Sequence, residues 1–217
     1  MGIVELKEAE VKLIVHASIF IYGDAASNDL AKALAKDIAA HWNEPAATVP
    51  VNGNNYRVIF NIEGEHVPLL TPGDVYGNEN AAYNFFRIEE FVHGNISFVD
   101  GINSNTGYFL LENLLNNSTT AAHEFGHTIG LEHPEILDIR GMGTPGIMYP
   151  RGTITDPHFQ YDPAAAPQTN GGTLNPFYRR VSEQDVRDLR IEKLHFNSHG
   201  YAMLGDFSSV WHEKHIK

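Results

Sequence analysis

His123-Glu124-Phe125-Gly126-His127-Thr128-Ile129-Gly130-Leu131-Glu132-His133 is the stretch from which the rest of the chain is read. On a helix, His123 and His127 stand four residues apart, so their rings share one face and can grip one ion. Glu124 follows the first of them, where its carboxylate reaches a water on that ion rather than the ion itself. Gly130 permits the positive φ that ends a helix and turns the chain. That turn lets His133 swing in as a third ligand, which a continuing straight helix could not present to the same point. Three neutral imidazoles leave the fourth position of a tetrahedral zinc to water, the arrangement of a catalytic site. Zinc lowers the pKa of such a water from about 15.7 towards roughly 7, and Glu124 stands where a general base is needed. The pattern fixes five positions, and chance supplies that on the order of 10⁻⁵ times per chain. Histidines that merely decorate a helix surface do not account for it.

Upstream, residues 11–22 (VKLIVHASIFIY) are rich in β-branched and aromatic side chains and read as a strand. Gly23 and Asp24 break it. Ser27 is a candidate N-cap, and Leu30, Leu34, Ile38 and Trp42 recur at i+4 spacing along an amphipathic helix. Residues 56–62 (YRVIFNI) read as a second strand, so strand, helix and strand suggest a parallel crossover and an α/β start. Residues 64–80 are turn-rich. Strand-like runs follow at 84–92, 95–99 and 107–111, with hairpin-type turn signals in Asp100-Gly101 and Asn103-Ser104-Asn105. Residues 116–120 offer several N-caps for the helix that carries the histidines. From 134 to 180 regular patterning fades. Ser182 with Asp185 resembles a capping box and opens a last helix expected to reach about Leu194. No repeat or long linker interrupts the chain, so one domain is expected over residues 1–217.

The chain has 217 residues, 27 acidic against 15 basic, for a formal charge of −12. That balance argues against nucleic acid or an anionic membrane as partner, and it disfavours acidic substrates. Hydrophobic residues make up 42% and charged residues 19%, the composition of a soluble globular protein, expected to be a monomer. The absence of cysteine excludes disulfides, thiolate zinc sites and a catalytic thiol. The first twelve residues carry Glu5, Lys7, Glu8 and Glu10 and no apolar signal-peptide core. A mature secreted or periplasmic chain is the expectation over a cytoplasmic one.

The extended motif HEFGHTIGLEH is similar to that of the metzincin metallopeptidases, HExxHxxGxxH. Their second signature is a methionine-containing turn, and Gly146-Ile147-Met148-Tyr149-Pro150 resembles it. Within that clan the matrixins are most similar: Ala121-Ala122 before His123, Met148-Tyr149-Pro150, and Val181-Ser182-Glu183-Gln184-Asp185-Val186 all look like matrixin segments. The resemblance implies a zinc-dependent endopeptidase with one catalytic zinc on His123, His127 and His133. It implies a twisted, mostly parallel five-stranded sheet with one antiparallel edge strand, two long helices and a zinc cleft. Residues 1–133 would form an N-terminal subdomain ending in the zinc helix, and 134–217 a smaller irregular one with a last helix. Met148 would be a non-ligating floor beneath the histidines. Protein or peptide substrates would pair with the edge strand, placed here at Gly94, Asn95, Ile96, Ser97, Phe98 and Val99, with Tyr149 and Pro150 as further substrate contacts. Matrixins also use structural calcium, for which Asp74, Asn78 and Glu79 are candidates, although their order matches no known loop.

The chain departs from the matrixin pattern in several places. Pro134 stands where Ser is usual, and Pro150 stands where a tyrosine switch would require Tyr. Residues 151–180 form a longer segment around the pocket for the residue after the scissile bond, and 195–217 extend beyond the usual end. Two other functions fit the same residues: a delivered toxin or effector protease with one target, and a silent zinc-holding module that captures peptides. The intact Glu124 speaks against the second. Among the remaining features, His195, His199, His212 and His215 read as exposed histidines, and His16 as a residue of the sheet. Leu204, Phe207, Val210 and Trp211 read as a strip that docks the tail.

Overall fold

Strand β2 (Lys12–Tyr22) is the spine of the sheet because its side chains alternate. Leu13, Val15, Ala17, Ile19 and Ile21 are buried on one face, at the two-residue period of a pleated strand. A computed structural model describes residues 1–116 and 118–216. Along one edge β2 pairs in parallel with β4 (Asn54–His66), from Lys12 opposite Arg57 to Ile21 opposite His66. Its other edge is shared: the first half pairs antiparallel with β1 (Gly2–Lys7), the second half in parallel with β5 (Tyr83–Glu89). Beyond β5 lie β7 (Thr106–Leu110), in parallel, and then β6 (Phe98–Val99), antiparallel at the edge. Strand β3 (Thr48–Val51) closes the opposite edge against β4, and β8 (Tyr201–Leu204) pairs with β1.

Four α-helices are described: α1 (Asn28–Asn43), α2 (Pro72–Tyr76), α3 (Thr120–Thr128) and α4 (Glu183–Asp188). Helix α1 forms the crossover between β2 and β4. The Ser27 hydroxyl accepts from the Leu30 N–H, and Ala31, Leu34, Ala35, Ile38 and Trp42 turn towards the sheet. Each large apolar side chain buried there contributes about 2 kcal/mol. Trp42 joins α1 to α3: its indole N–H donates to Ala122 O at 3.0 Å, and its ring packs on Phe60 and Phe125. None of the described helices is long and apolar enough to cross a membrane.

Several expectations need correction. The sheet has eight strands rather than five. The five expected ones are there, but β1, β3 and β8 escaped notice because they are short, at six, four and four residues, and offer too few alternations to register. In β1, Glu5 faces His16 at 2.9 Å and Lys7 at 2.7 Å, so these charged residues belong to a paired strand. The run 95–99 shrinks to Phe98–Val99, because Gly94 and Asn95 take positive φ (80° and 54°) in a tight turn. The last helix stops at Asp188, well before Leu194, and Arg190 follows in a left-handed conformation. Of the two long helices only α1 is long; α3 has nine residues. Among its proposed caps, Asn117 lies outside the described residues, and the Thr119 hydroxyl donates to Pro176 O at 2.6 Å instead of capping.

The tail runs back over the sheet face opposite α1. Ser208 bonds the hydroxyls of Ser104 and Thr106, and Trp211 stacks on Tyr22 with ring centroids 4.8 Å apart. His212 and His215 are therefore not the exposed residues expected: His212 Nε2 meets Asp100 at 2.9 Å, and the His215 ring stacks on Tyr108 at 4.1 Å. Leu204 is buried in β8, whereas Phe207 and Val210 stay largely exposed.

Candidate metal centre

All nine residues of α3 are buried, because the helix lies between Trp42, the β6 edge and the turn at residues 146–150. Its C-terminal end is closed by two backbone bonds, Gly130 N to His127 O at 3.1 Å and Leu131 N to Gly126 O at 3.0 Å. This is a Schellman closure with Gly130 at φ +105°, a conformation that side chains beyond glycine rarely adopt. The closure does two things at once. It aims Leu131 O at His127 Nδ1, 2.7 Å away, and it carries the chain round so that His133 faces the helix.

The His123 Nδ1 is held in the same way by Ile147 O at 2.7 Å. A carbonyl only accepts, so both Nδ1 atoms carry the proton and both Nε2 atoms are left as bare lone pairs. Each of these Nε2 atoms stands 3.1 Å from His133 Nε2, and the three rings offer ligand atoms that all lie within 4.8 Å of one another. His133 brings a third ring nitrogen to the same point, where a cation would be held by all three. Zinc–nitrogen bonds of about 2.0–2.1 Å at tetrahedral angles set ligand nitrogens roughly 3.3 Å apart, so the spacing suits a small tetrahedral cation. Burial holds His123 well below its usual range and brings His127 down to about 4, with His133 lowered too, so all three are neutral ligands at pH 7. No other group of three such side chains converges among the described residues.

Glu124 is 7% exposed beside these rings. Burial pushes its carboxyl up to about 8, against the opposing pull of the Arg179 charge and a hydrogen bond from the Val99 backbone N–H. A cation on the histidines would draw it back towards the ionised form. Both groups line a cleft of about 540 Å³. One wall is Ile96, Ser97, Phe98 and Val99, fixed to the sheet where the Ser97 hydroxyl accepts from Leu110 N at 3.1 Å. The other wall is Pro150, Arg151, Gly152 and Arg179.

Of the residues expected to touch substrate, Ile96, Ser97, Phe98 and Pro150 line this cleft, while Gly94, Asn95 and Tyr149 do not. Tyr149 contributes its carbonyl, which accepts from Arg179 Nη1 at 3.0 Å. Met148 is 3% exposed and its thioether fills the space against Gly126. Asp74 is spent on capping α2, where it bonds the Thr71 N–H and hydroxyl, and Asn78 binds the Asn80 N–H. Val99 and the segment 151–180 were expected at the cleft, but Arg151 and Arg179 were not singled out within it, nor the Val99 N–H as a partner of Glu124. No spacing marks them, since the long segment 151–180 reaches the cleft only by folding back.

No family model matches the chain, and no curated protein matches it. A solved structure described as "Structure of myroilysin" is similar in fold, with a TM-score of 0.40 and 13% sequence identity over 89% of this chain and 100% of that one.

Proposed function

We propose that this chain is a zinc-dependent endopeptidase of metzincin type that cuts extended polypeptides. The observation that carries the reading is the meeting of three Nε2 lone pairs with the Glu124 carboxyl in one cleft beneath a sheet edge. Bound there, zinc would supply a Lewis acid that acidifies water and polarises a peptide carbonyl. The chain's own residues do the remaining work. His123 and His127 are locked by their Nδ1 bonds into the tautomer that leaves Nε2 free for the metal. Glu124 takes a proton from the attacking water and returns it to the departing amine nitrogen. Strand β6 ends the sheet, and an extended substrate backbone would lie along that edge beside the Val99 N–H that bonds Glu124. The two walls of the cleft come from residues 1–133 and 134–217, which we take as one catalytic unit.

The test compares wild type with Glu124→Ala, both loaded with zinc and checked for metal content. Wild type should cut a broad peptide library, and the variant should retain the metal while losing about 10²- to 10⁴-fold in rate. If both bind zinc and leave the library equally uncut, the reading is lost.

A further inference from the structure

We propose that the cleft is built to hold a carboxylate of the substrate, gripped by Arg179 in its wall with Arg151 at its rim. The inference rests on the endopeptidase reading and names its substrate class. The overall charge points the other way: 27 acidic against 15 basic residues should repel acidic peptides. The cleft inverts that balance, since its charged side chains apart from the histidines are Arg151, Arg179 and Glu124.

Arg179 is 3% exposed. Its Nε donates to Thr119 Oγ1 at 2.9 Å and its Nη1 to Tyr149 O at 3.0 Å, both neutral acceptors. Among the described residues Nη2 has no protein acceptor, and no carboxylate approaches the guanidinium within 4.0 Å. Glu124 feels its charge, yet the hydrogen bond to that carboxyl comes from Val99. Elsewhere the fold treats a buried arginine differently: Arg87, 9% exposed, meets Glu89 at 2.7 Å. Arg151, exposed at the rim, likewise meets no carboxylate among the described residues and donates to the neutral Asn113 Oδ1 at 2.7 Å. The Glu124 charge reaches Arg179 across the cleft without bonding it, so burial still dominates at the guanidinium, and an anion that bonds it offsets part of that cost. A planar guanidinium with an uncommitted nitrogen offers that anion a charge-assisted bond of defined geometry. Two sources supply such a carboxylate: an Asp or Glu side chain beside the scissile bond, or the free C-terminus of a peptide.

Matched peptides separate these sources. One pair differs only by Glu against Gln beside the cut, and another by a free against an amidated C-terminus. Cleavage is measured with the zinc-loaded wild type, and binding by fluorescence polarisation with zinc-loaded Glu124→Ala, so that binding still reports if nothing is cut. A carboxylate in one of the two positions should raise kcat/KM and affinity about tenfold to a hundredfold. Arg151→Gln, an exposed position that leaves the core intact, should reduce that preference severalfold, and Arg179→Lys should reduce it further. Equal values within twofold for every pair would overturn the proposal, as would a preference undiminished in Arg151→Gln and Arg179→Lys alike. Absence of any cleavage would overturn the endopeptidase reading alone, leaving the binding measurement to decide this one.

Discussion

A Cβ placed on Gly126 would stand 2.4 Å from Met148 Sδ and 3.2 Å from Trp42 Cζ2. The thioether therefore occupies the volume that any larger residue at this turn of α3 would claim, and helix and methionine turn touch across a glycine. Two opposing effects bear on Gly126→Ala. Alanine gains about 0.5–1 kcal/mol of helix propensity, whereas overpacking a buried contact costs typically about 1–3 kcal/mol. Steric cost wins, so the variant should unfold at lower denaturant. In a Met148→Ala background, itself destabilised by about 2–5 kcal/mol, the added cost of Gly126→Ala should shrink, because the methionine is what the new methyl strikes. A single variant more stable than wild type in urea would refute this contact.

Gly130 places the third histidine. Its φ of +105° lies beyond what alanine tolerates, and a Cβ would also meet Asn103 Oδ1 at 2.8 Å. Gly130→Ala should cost about 1–3 kcal/mol of local strain. The strain relaxes most easily by moving residues 131–133, so the loss should appear in metal affinity. Competition with a chromophoric chelator should show zinc bound at least tenfold more weakly, about 1.4 kcal/mol. Unchanged affinity would mean that the turn does not set the position of His133.

The convergence of His123, His127 and His133 was legible because it is local: four-residue spacing on a helix and one glycine turn are contained in residues 123–133. The five strands of the expected sheet were legible for a similar reason, since apolar residues there alternate or run together. Strand β1 was not, because Glu5 and Lys7 sit on its half-exposed positions and dilute the apolar signal. Nor was the burial of His212 and His215, which depends on Asp100 and Tyr108, more than a hundred residues away in the chain. Arg179 belongs to the same class. Its role arises from Thr119 and Tyr149 closing around it, and no periodicity encodes that meeting.

The buried histidines should cost the metal-free protein stability as pH falls through their range. Burial brings His127 from the ordinary 6.5 down to about 4, and His123 shifts the same way. Between roughly pH 4 and 6.5 these two histidines favour the folded chain more as pH rises, whereas Glu124, raised from 4.5 to about 8, acts in the opposite sense between those values. His127 alone contributes about 2 kcal/mol between pH 5 and 7. Thermal melts of Glu124→Gln, which removes the opposing group, in the presence of a chelator at pH 5, 6 and 7 should show Tm climbing with pH. With zinc bound the melting point should fall more steeply below pH 6, as protons compete for the same Nε2 atoms. A chelated variant with a flat profile from pH 5 to 7 would contradict the buried, neutral imidazoles.

Trp211 ties the tail to the sheet, and through it to the wall of the cleft. Its ring stacks on Tyr22, and the next residue, His212, contacts Asp100 in the turn that joins β6 to β7. That turn holds β6 through Asp100 N to Thr106 O at 3.0 Å. Trp211 is half-buried, so Trp211→Ala should cost about 1–2 kcal/mol, below the range of about 3–5 kcal/mol for a fully buried tryptophan. The more informative readout is local. Without the stack His212 keeps its bonds to Asp100, Arg87 and Tyr22 but loses the neighbour that steadies them, so amide exchange at Asp100 and in β7 should quicken while exchange in α1 stays as in wild type. If exchange rises evenly over the molecule, the tail is only one more part of the core. If it rises in the β6–β7 turn first, the tail braces the edge on which an extended substrate would lie.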